Sequence, residues 1–422
     1  MSGLWCEYAW LGGDEPAQRV RIDLAGERIA AVTPDGEPGD AERLAGLTIP
    51  GLANAHSHAF QRALRGRAQG HGSFWTWREQ MYALAESIDP DGLRRLARAT
   101  FAEMALAGIT VVGEFHYLHH GPGGTPYADP NELGRALIAA AAEAGIRIVL
   151  LDACYLHGGS ARFRDASAEA WAERVSQLDG GAGAAIHSVR AVDPAAAAVV
   201  AQWAAECEAP LHAHVSEQPA ENAFALEHFG ATPTALLHQA GALSERFTAI
   251  HVTHPAADDI ALLGAAQAHV CLCPTTERDL ADGIGPARAL ADAGARLALG
   301  SDSHAVIDLL EEARAVELDE RLASGERGRH GAAQLLGAAT AGGYASLGLP
   351  HGGRIEPGAL ADLTTVALDS VRLAGAPPLD GAVFCAGAAD VRHVIVGGRW
   401  VVRDGAHVSI DVARELREAL AP

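Results

Sequence analysis

His56-Ser57-His58 follows, after four residues, the apolar run Leu47-Thr48-Ile49-Pro50-Gly51. If that run is a strand, residues two apart point to one face. Both imidazoles then emerge side by side at its end, and two neutral imidazoles are the start of a metal site. The pattern is weak alone, because His-x-His also occurs in plain surface strands. Its weight comes from downstream residues that could complete the coordination. His212-Ala213-His214-Val215-Ser216-Glu217 follows Pro210-Leu211, His251 ends Phe247-Thr248-Ala249-Ile250, and Asp302 ends Arg296-Leu297-Ala298-Leu299-Gly300-Ser301. Each polar group arrives where a strand-like run gives way to a loop. The catalytic residues of an α/β barrel come from those positions, because its strand ends converge on one rim. Most of the 20 histidines cannot be ligands; the joint placement at several strand ends is what favours a metal enzyme.

Eight strand candidates must position these groups, centred on Ile49, Val111, Val149, Ile186, Ala213, Ile250, Leu272 and Leu299. Ala-rich helical stretches separate most of them, such as Asn131 to Ala144 and Pro194 to Ala205. Alternating β and α elements predict a parallel sheet, and eight repeats predict closure into a (β/α)8 barrel. The alternative, an open doubly wound sheet, lacks a Gly-rich phosphate loop after an early strand. The ends read differently. Arg19-Val20-Arg21-Ile22-Asp23 and Arg28-Ile29-Ala30-Ala31-Val32 are short alternating runs, as are segments around Leu363, Val394 and Val401. The reading is a small flanking β-domain built from both termini, residues 1–48 and 355–422, around a barrel over 49–354. Gly121 to Pro126 marks a long loop after the second strand, of the kind that shapes a substrate site.

Composition narrows the partners. The 422 residues are 49% hydrophobic with net charge −21, which disfavours nucleic acid and anionic membranes. No apolar run reaches the ~18 residues of a membrane span, and a cytoplasmic protein is expected. Six scattered cysteines make no disulfide framework; Cys271 and Cys273 are expected as buried thiols. All 32 basic residues are arginine, which excludes Schiff-base chemistry and any lysine carbamate bridging two metals.

The arrangement resembles the amidohydrolase superfamily, and within it the one-metal deaminases, over nearly the whole chain. The resemblance assigns His56, His58, His214 and Asp302 to a single divalent ion, with zinc expected, and makes Glu217 and His251 catalytic. Zinc lowers the pKa of water to ~7 and makes hydroxide available at neutral pH. Glu217 suits a proton shuttle, Asp302 can accept the first water proton, and His251 can orient the nucleophile. A narrower resemblance, to the formimino-glutamate deiminases, rests on Asn54 to Arg62, Phe74-Trp75-Thr76-Trp77-Arg78-Glu79, Glu114-Phe115-His116-Tyr117, His187-Ser188-Val189-Arg190, Cys273 to Glu277 and Gly300 to His304. It implies that Gln61, Arg78, Tyr117, His187 and Arg190 hold the carboxylates of a small dicarboxylate, that the formimino C=N bond is hydrolysed to release ammonia, and that the protein is a homodimer. Arginine suits such a substrate, because it grips carboxylate through paired hydrogen bonds. Arg78 is placed on the first rim loop, beside Trp75 and Trp77, which either exclude water or merely pack. His116, His119, His120 and His304 are read as polar rim residues, and His212 shares the face of His214. Competing readings are deamination of guanine or an adenosine derivative, and a non-catalytic metal-binding barrel.

Overall fold

The computed structural model describes residues 3–178 and 182–421. Met1, Ser2 and Pro422, the outermost residues of the expected flanking domain, lie outside them. Among the described residues, sixteen strands form two eight-stranded sheets. The first sheet holds β1 (Gly3–Ala9), β2 (Ala17–Ala25), β3 (Arg28–Thr33) and β4 (Glu42–Pro50). The second holds β5 (Leu52–Ser57), β6 (Ile109–His116), β7 (Arg147–Cys154), β8 (Gly183–Ile186), β9 (Leu211–Val215), β10 (Phe247–His251), β11 (His269–Leu272) and β12 (Arg296–Leu299). The chain then returns to the first sheet with β13 (Leu363–Val366), β14 (Val391–Val396), β15 (Arg399–Arg403) and β16 (Ala406–His407).

Strands β5 to β12 pair in parallel in chain order. A bridge between Ser57 and Asp302 joins the ends of that order. There the amide of Asp302 donates to the carbonyl of His56 at 3.0 Å, and that of His58 to the carbonyl of Asp302 at 3.1 Å. This is the (β/α)8 barrel expected from the alternation of elements. The other sheet runs β16-β15-β14-β13-β4-β1-β2-β3. Its N-terminal and C-terminal halves meet where β4 pairs antiparallel with β13, so both termini build the flanking domain. One face packs Leu4, Cys6, Val20, Ile22, Leu44, Leu363 and Ile395 into a small core of their own. The other turns Leu47, Ile49, Val366 and Val394 into the main core with the barrel.

One element differs from the sequence reading. The run around Ile49 is not the first barrel strand; it belongs to β4, in the flanking sheet, and a boundary at residue 49 cuts through that strand. The barrel begins at Leu52. The apolar pattern continues almost unbroken from Leu44 to Ala55, so periodicity shows one strand where there are two. The break is made by Pro50 and Gly51. A Cβ on Gly51 would lie 2.2 Å from the Thr110 hydroxyl oxygen, so only glycine lets the chain cross between sheets there. The other seven strand centres fall in barrel strands.

Two helices matter for the site. Helix α1 (Phe74–Ser87) buries Phe74, Trp77, Met81 and Ala85, a stripe at three- and four-residue spacing. Helix α2 (Pro90–Leu106) starts from Asp89, whose carboxylate accepts the Gly92 amide, with Pro90 in its first turn. Arg78 therefore stands on a helix rather than on the rim loop that the sequence suggested. No described helix is long and apolar enough to cross a membrane. Cys271 and Cys273 are buried free thiols.

Candidate active site

At the C-terminal rim of the barrel, four donors from three strand ends converge. The Nε2 atoms of His56 and His214 lie 3.2 Å apart. Asp302 Oδ1 is 3.2 Å from His56 Nε2 and 3.4 Å from His58 Nε2. All four residues are buried. Their orientation is fixed from behind: His58 Nδ1 donates to the Phe115 carbonyl at 2.8 Å, and His214 Nδ1 to the His187 carbonyl at 2.9 Å. A neutral imidazole that donates through Nδ1 offers its Nε2 lone pair forward. Burial pushes the His56 imidazole down to about 3 and also lowers His58 and His214. Burial raises the Asp302 carboxyl, but hydrogen bonding and charge from His56, with His251 and His58, hold it well below the usual range. The set is thus three neutral imidazoles and one carboxylate. A tetrahedral ion with bonds of ~2.0–2.1 Å spaces its donors about 3.3–3.4 Å apart. The donors fit such an ion, and converging lone pairs of this kind are stable only around a cation.

The backbone at these strand ends is strained. His251, Val252, Ser216, Asp302 and His304 all take positive φ, between 43° and 71°. Non-glycine residues hold that conformation only where surrounding contacts enforce it, as functional sites often do.

Glu217 and His251 adjoin the donors. Glu217 Oε1 is 3.8 Å from His251 Nε2, and its Oε2 accepts from Arg190 at 3.3 Å. His251 Nε2 is also 3.9 Å from Asp302 Oδ2, and His251 Nδ1 donates to Glu277 at 3.3 Å. Burial opposes charge on His251, but Glu277, Glu217 and Asp302 together raise its pKa to about 10. Such a ring is poised as a donor toward an oxygen lying between Glu217 and Asp302.

A cleft opens over this group, lined also by Gln61, Arg78, Tyr117, His187 and Arg190. Every residue expected at the site except the fully buried His56 lines this cleft. The Gln61 amide donates to the Tyr117 hydroxyl at 2.8 Å, while Gln61 Oε1, Arg78 Nε and Arg190 Nε are buried without a hydrogen-bond partner, Arg190 Nε lying 4.0 Å from Glu221 Oε2. Unpaired buried polar groups are costly; the two arginine donors suit an anionic ligand, and the Gln61 oxygen suits a hydrogen-bond donor. Trp77 forms cleft wall; Trp75 faces outward, with the Arg78 guanidinium 4.5 Å over its ring.

Several residues at the site carried no sequence role. Glu277 orients His251. Tyr82, Tyr155, Phe163 and the glycines 158 and 159 line the cleft. Glu221 accepts the Glu217 amide at 3.2 Å; a Glu in the first turn after Pro219 is the available signal for it. Of the four histidines read as polar rim residues, none lines the cleft, and His116, His119 and His304 are buried. His304 is buried beneath the metal donors, where Ser301 and Ser57 bond its two nitrogens at 3.0 and 3.2 Å. Ser57 in turn donates to Glu114 at 2.5 Å. His116 and His119 lie buried beside Asp152, but Arg174 bonds Asp152 twice at 2.9 Å, and His119 Nε2 donates to the Ala153 carbonyl. That carboxylate is already neutralised, so the cluster is structural. His120, half-buried, bonds the Arg164 carbonyl. His212 is buried, and its Nε2 donates to the Ser346 carbonyl at 2.9 Å, toward the helix Gly343–Ser346.

The comparisons agree with this architecture. Residues 47–401 match the model of the amidohydrolase family. The formimidoylglutamate deiminase of Pseudomonas aeruginosa is 37% identical, the alignment covering 96% of each chain. The 8-oxoguanine deaminase of the same organism is 31% identical over 93% of this chain and 90% of its own. The crystal structure of an amidohydrolase from Brucella melitensis superposes with a TM-score of 0.91 at 34% identity, covering 100% of this chain and 99% of its own. Identity of this extent, on a barrel that carries its donors at the same rim, leaves one conclusion: the chain belongs to the amidohydrolase family and is a metal-dependent hydrolase of carbon–nitrogen bonds.

Proposed function

We propose that the protein hydrolyses N-formimino-L-glutamate to N-formyl-L-glutamate and ammonia. The observation that carries this reading is the presence of two arginines, Arg78 and Arg190, in the same cleft as the metal donors. A neutral purine needs no such pair, whereas a dicarboxylate does. The relative named for this activity, at 37% identity, supports it.

His56, His58, His214 and Asp302 would hold one divalent ion, and zinc suits three imidazoles with one carboxylate. The ion supplies Lewis-acid polarisation and an activated water at neutral pH. Asp302 would accept the first proton of the attacking water. His251, held by Glu277, donates to the attacking oxygen and fixes its direction. Water adds across the formimino C=N bond, forming the C–O bond; Glu217 and Asp302 would relay its two protons to the terminal nitrogen, whose remaining C–N bond then breaks as C=O forms, so that ammonia leaves. Arg78, Arg190, Gln61, Tyr117 and His187 bind the carboxylates and place the formimino carbon before Glu217.

The test is ammonia release by metal-replete protein from N-formimino-L-glutamate, N-formimino-L-aspartate, guanine and 8-oxoguanine, with metal content measured alongside. Preferred turnover of formimino-glutamate at one metal equivalent is the expected result. Preference for a purine refutes the substrate, and two equivalents both needed for activity refute the single ion. No turnover of any of them at full metal occupancy favours a binding barrel.

A further inference from the structure

Helix α1 forms one wall of the cleft, presenting Phe74, Trp77, Arg78, Met81 and Tyr82. Its approach is a stretch containing Gly66, Gly70 and Gly72. Its C-terminal end has no glycine cap: Ile88, which follows the last turn, is extended at φ −87° and ψ 126°. Carbonyls in a last helical turn need outside donors; Ser87 serves Leu84, the Ile88 amide reaches Ala85 at 3.4 Å, and Arg162 adds a second donor to Ala85 and one to Ile88 just past the helix. Its guanidinium donates to the Ala85 carbonyl, to the Ile88 carbonyl at 2.7 Å and, through Nε, to the His120 carbonyl at 2.7 Å. The Arg162 carbonyl in turn accepts the amides of His119 and His120, at 3.0 and 2.9 Å. Nearby, the Ser160 hydroxyl donates to Glu86 on α1.

Arg162 thus joins three segments: the end of α1, the loop after β6 and the loop after β7. Its side chain is 0% exposed, and these three guanidinium bonds all end on backbone carbonyls. A buried charge is expensive unless it is fully hydrogen-bonded, and an apolar side chain would fill the same volume without that cost. What a planar fork adds is direction: three donors fixed in one plane hold three carbonyls, and with them the heading of α1. The loop after β7 also brings Tyr155 and Phe163 to the cleft, so the clamp orders two walls at once.

We propose that Arg162 is a positioning residue that acts through α1 to set where Arg78 meets a substrate carboxylate. The kinetic part of this proposal rests on the dicarboxylate reading; the structural part does not.

The experiment uses the metal-loaded full chain. Steady-state kinetics with N-formimino-L-glutamate are measured for the parent, Arg162→Met, Arg162→Lys, Arg78→Met and the double variant Arg78→Met/Arg162→Met. Hydrogen exchange is followed over residues 74–88 and over the barrel strands. Arg162→Met should raise KM about 10-fold or more while kcat stays within about three-fold. Arg162→Lys should recover part of that loss. In the Arg78→Met background the same change should alter kcat/KM by less than about three-fold, because two residues acting through one contact are not additive. Exchange should quicken in α1 and not in the barrel strands. Equal losses of kcat/KM in both backgrounds, or an unchanged KM with unchanged exchange in α1, overturn the proposal. If Arg162→Met does not fold, Arg162→Lys and Arg78→Met/Arg162→Lys replace it: a smaller rise in KM that disappears in the Arg78→Met background supports the proposal, and an unchanged KM with unchanged exchange in α1, or equal losses in both backgrounds, overturns it. If the parent does not turn over formimino-glutamate, the functional reading falls, and exchange in α1 alone decides for or against the clamp.

Discussion

Glu217 stands between two cationic groups, with one carboxylate oxygen toward His251 and the other bonded to Arg190. That geometry separates two effects that a sequence could not. Glu217→Gln keeps the size and loses the proton-carrying oxygen. It should retain metal and fold yet lose at least about 100-fold in kcat, the ordinary scale for a general acid–base group. A metal-loaded variant with near-normal kcat would remove Glu217 from the mechanism. Arg78 and Arg190 should also behave differently from each other. Losing a charge-assisted contact that leaves an anion unpaired costs about 2–5 kcal/mol, so each Arg→Met change should lower kcat/KM for formimino-glutamate by at least about 30-fold. Arg78 touches no proton-carrying group and should act through KM alone. Arg190 also holds Glu217, so its loss should lower kcat as well. Identical KM-only effects in the two variants would mean that the bond between Arg190 and Glu217 plays no part in turnover. His56, His58, His214, His251 and Asp302 were legible in the sequence because each follows an apolar run. Glu277, Tyr155 and Tyr82 were not, because nothing local marks a side chain whose partner is set by a distant loop.

At the level of elements, the rim depends on how β12 meets β5. Gly300 is the tightest point of that contact: a Cβ there would lie 2.8 Å from His56 Cβ, 2.9 Å from its carbonyl oxygen and 3.0 Å from its nitrogen. Gly300→Ala should therefore push His56 off the other donors without removing any of them. Chelator competition should show metal affinity weakened by about 10-fold or more, the scale of disturbed support around a ligand. Unchanged affinity would show that the strands yield freely there. A second element contact reports through pH. His212, on β9, is buried with its bond to the Ser346 carbonyl, and burial lowers its pKa to about 4. Its ordinary value is about 6.5. Between those values the unfolded chain binds a proton that the folded chain refuses, so this residue's contribution to stability is present above pH 6.5 and is lost as pH falls toward 4. Each pH unit in that window should cost the parent up to about 1.4 kcal/mol more than it costs His212→Gln. Urea unfolding of both proteins at several pH values measures the difference, and parallel pH profiles would show that His212 takes up its proton in the folded state.

Across the whole molecule, the barrel and the flanking sheet share one core and one buried polar node. The barrel was legible because its β and α stretches alternate, and the flanking domain because the terminal runs alternate in polarity instead. The seam between them was not legible. Leu47 and Ile49 carry the apolar signature of a barrel strand while pairing in the other sheet, since they are buried against the barrel from outside it. The seam is fixed by Asp362, whose side chain is fully buried. Its carboxylate accepts from Arg147 on β7 at 2.8 and 3.2 Å, from the Tyr344 hydroxyl at 2.7 Å and from the Gly397 amide at 2.7 Å. Its carbonyl accepts the amide of Gly51, at the crossing between sheets. Asp362→Ala leaves that crossing bond but removes an acceptor from three donors, of which Arg147 keeps Glu27 at 3.2 Å and the Tyr344 hydroxyl keeps Thr110 at 2.7 Å. Breaking a buried ion pair costs about 3–5 kcal/mol. Arg147 is a quarter exposed and can recover water, so a loss near the lower end, about 3 kcal/mol, is expected in urea unfolding. Because the site lies at the opposite rim, metal content and KM should stay unchanged while stability falls. A shift under about 1 kcal/mol would place the node among the weak surface pairs, leaving the apolar face of β4 as what holds the two sheets together.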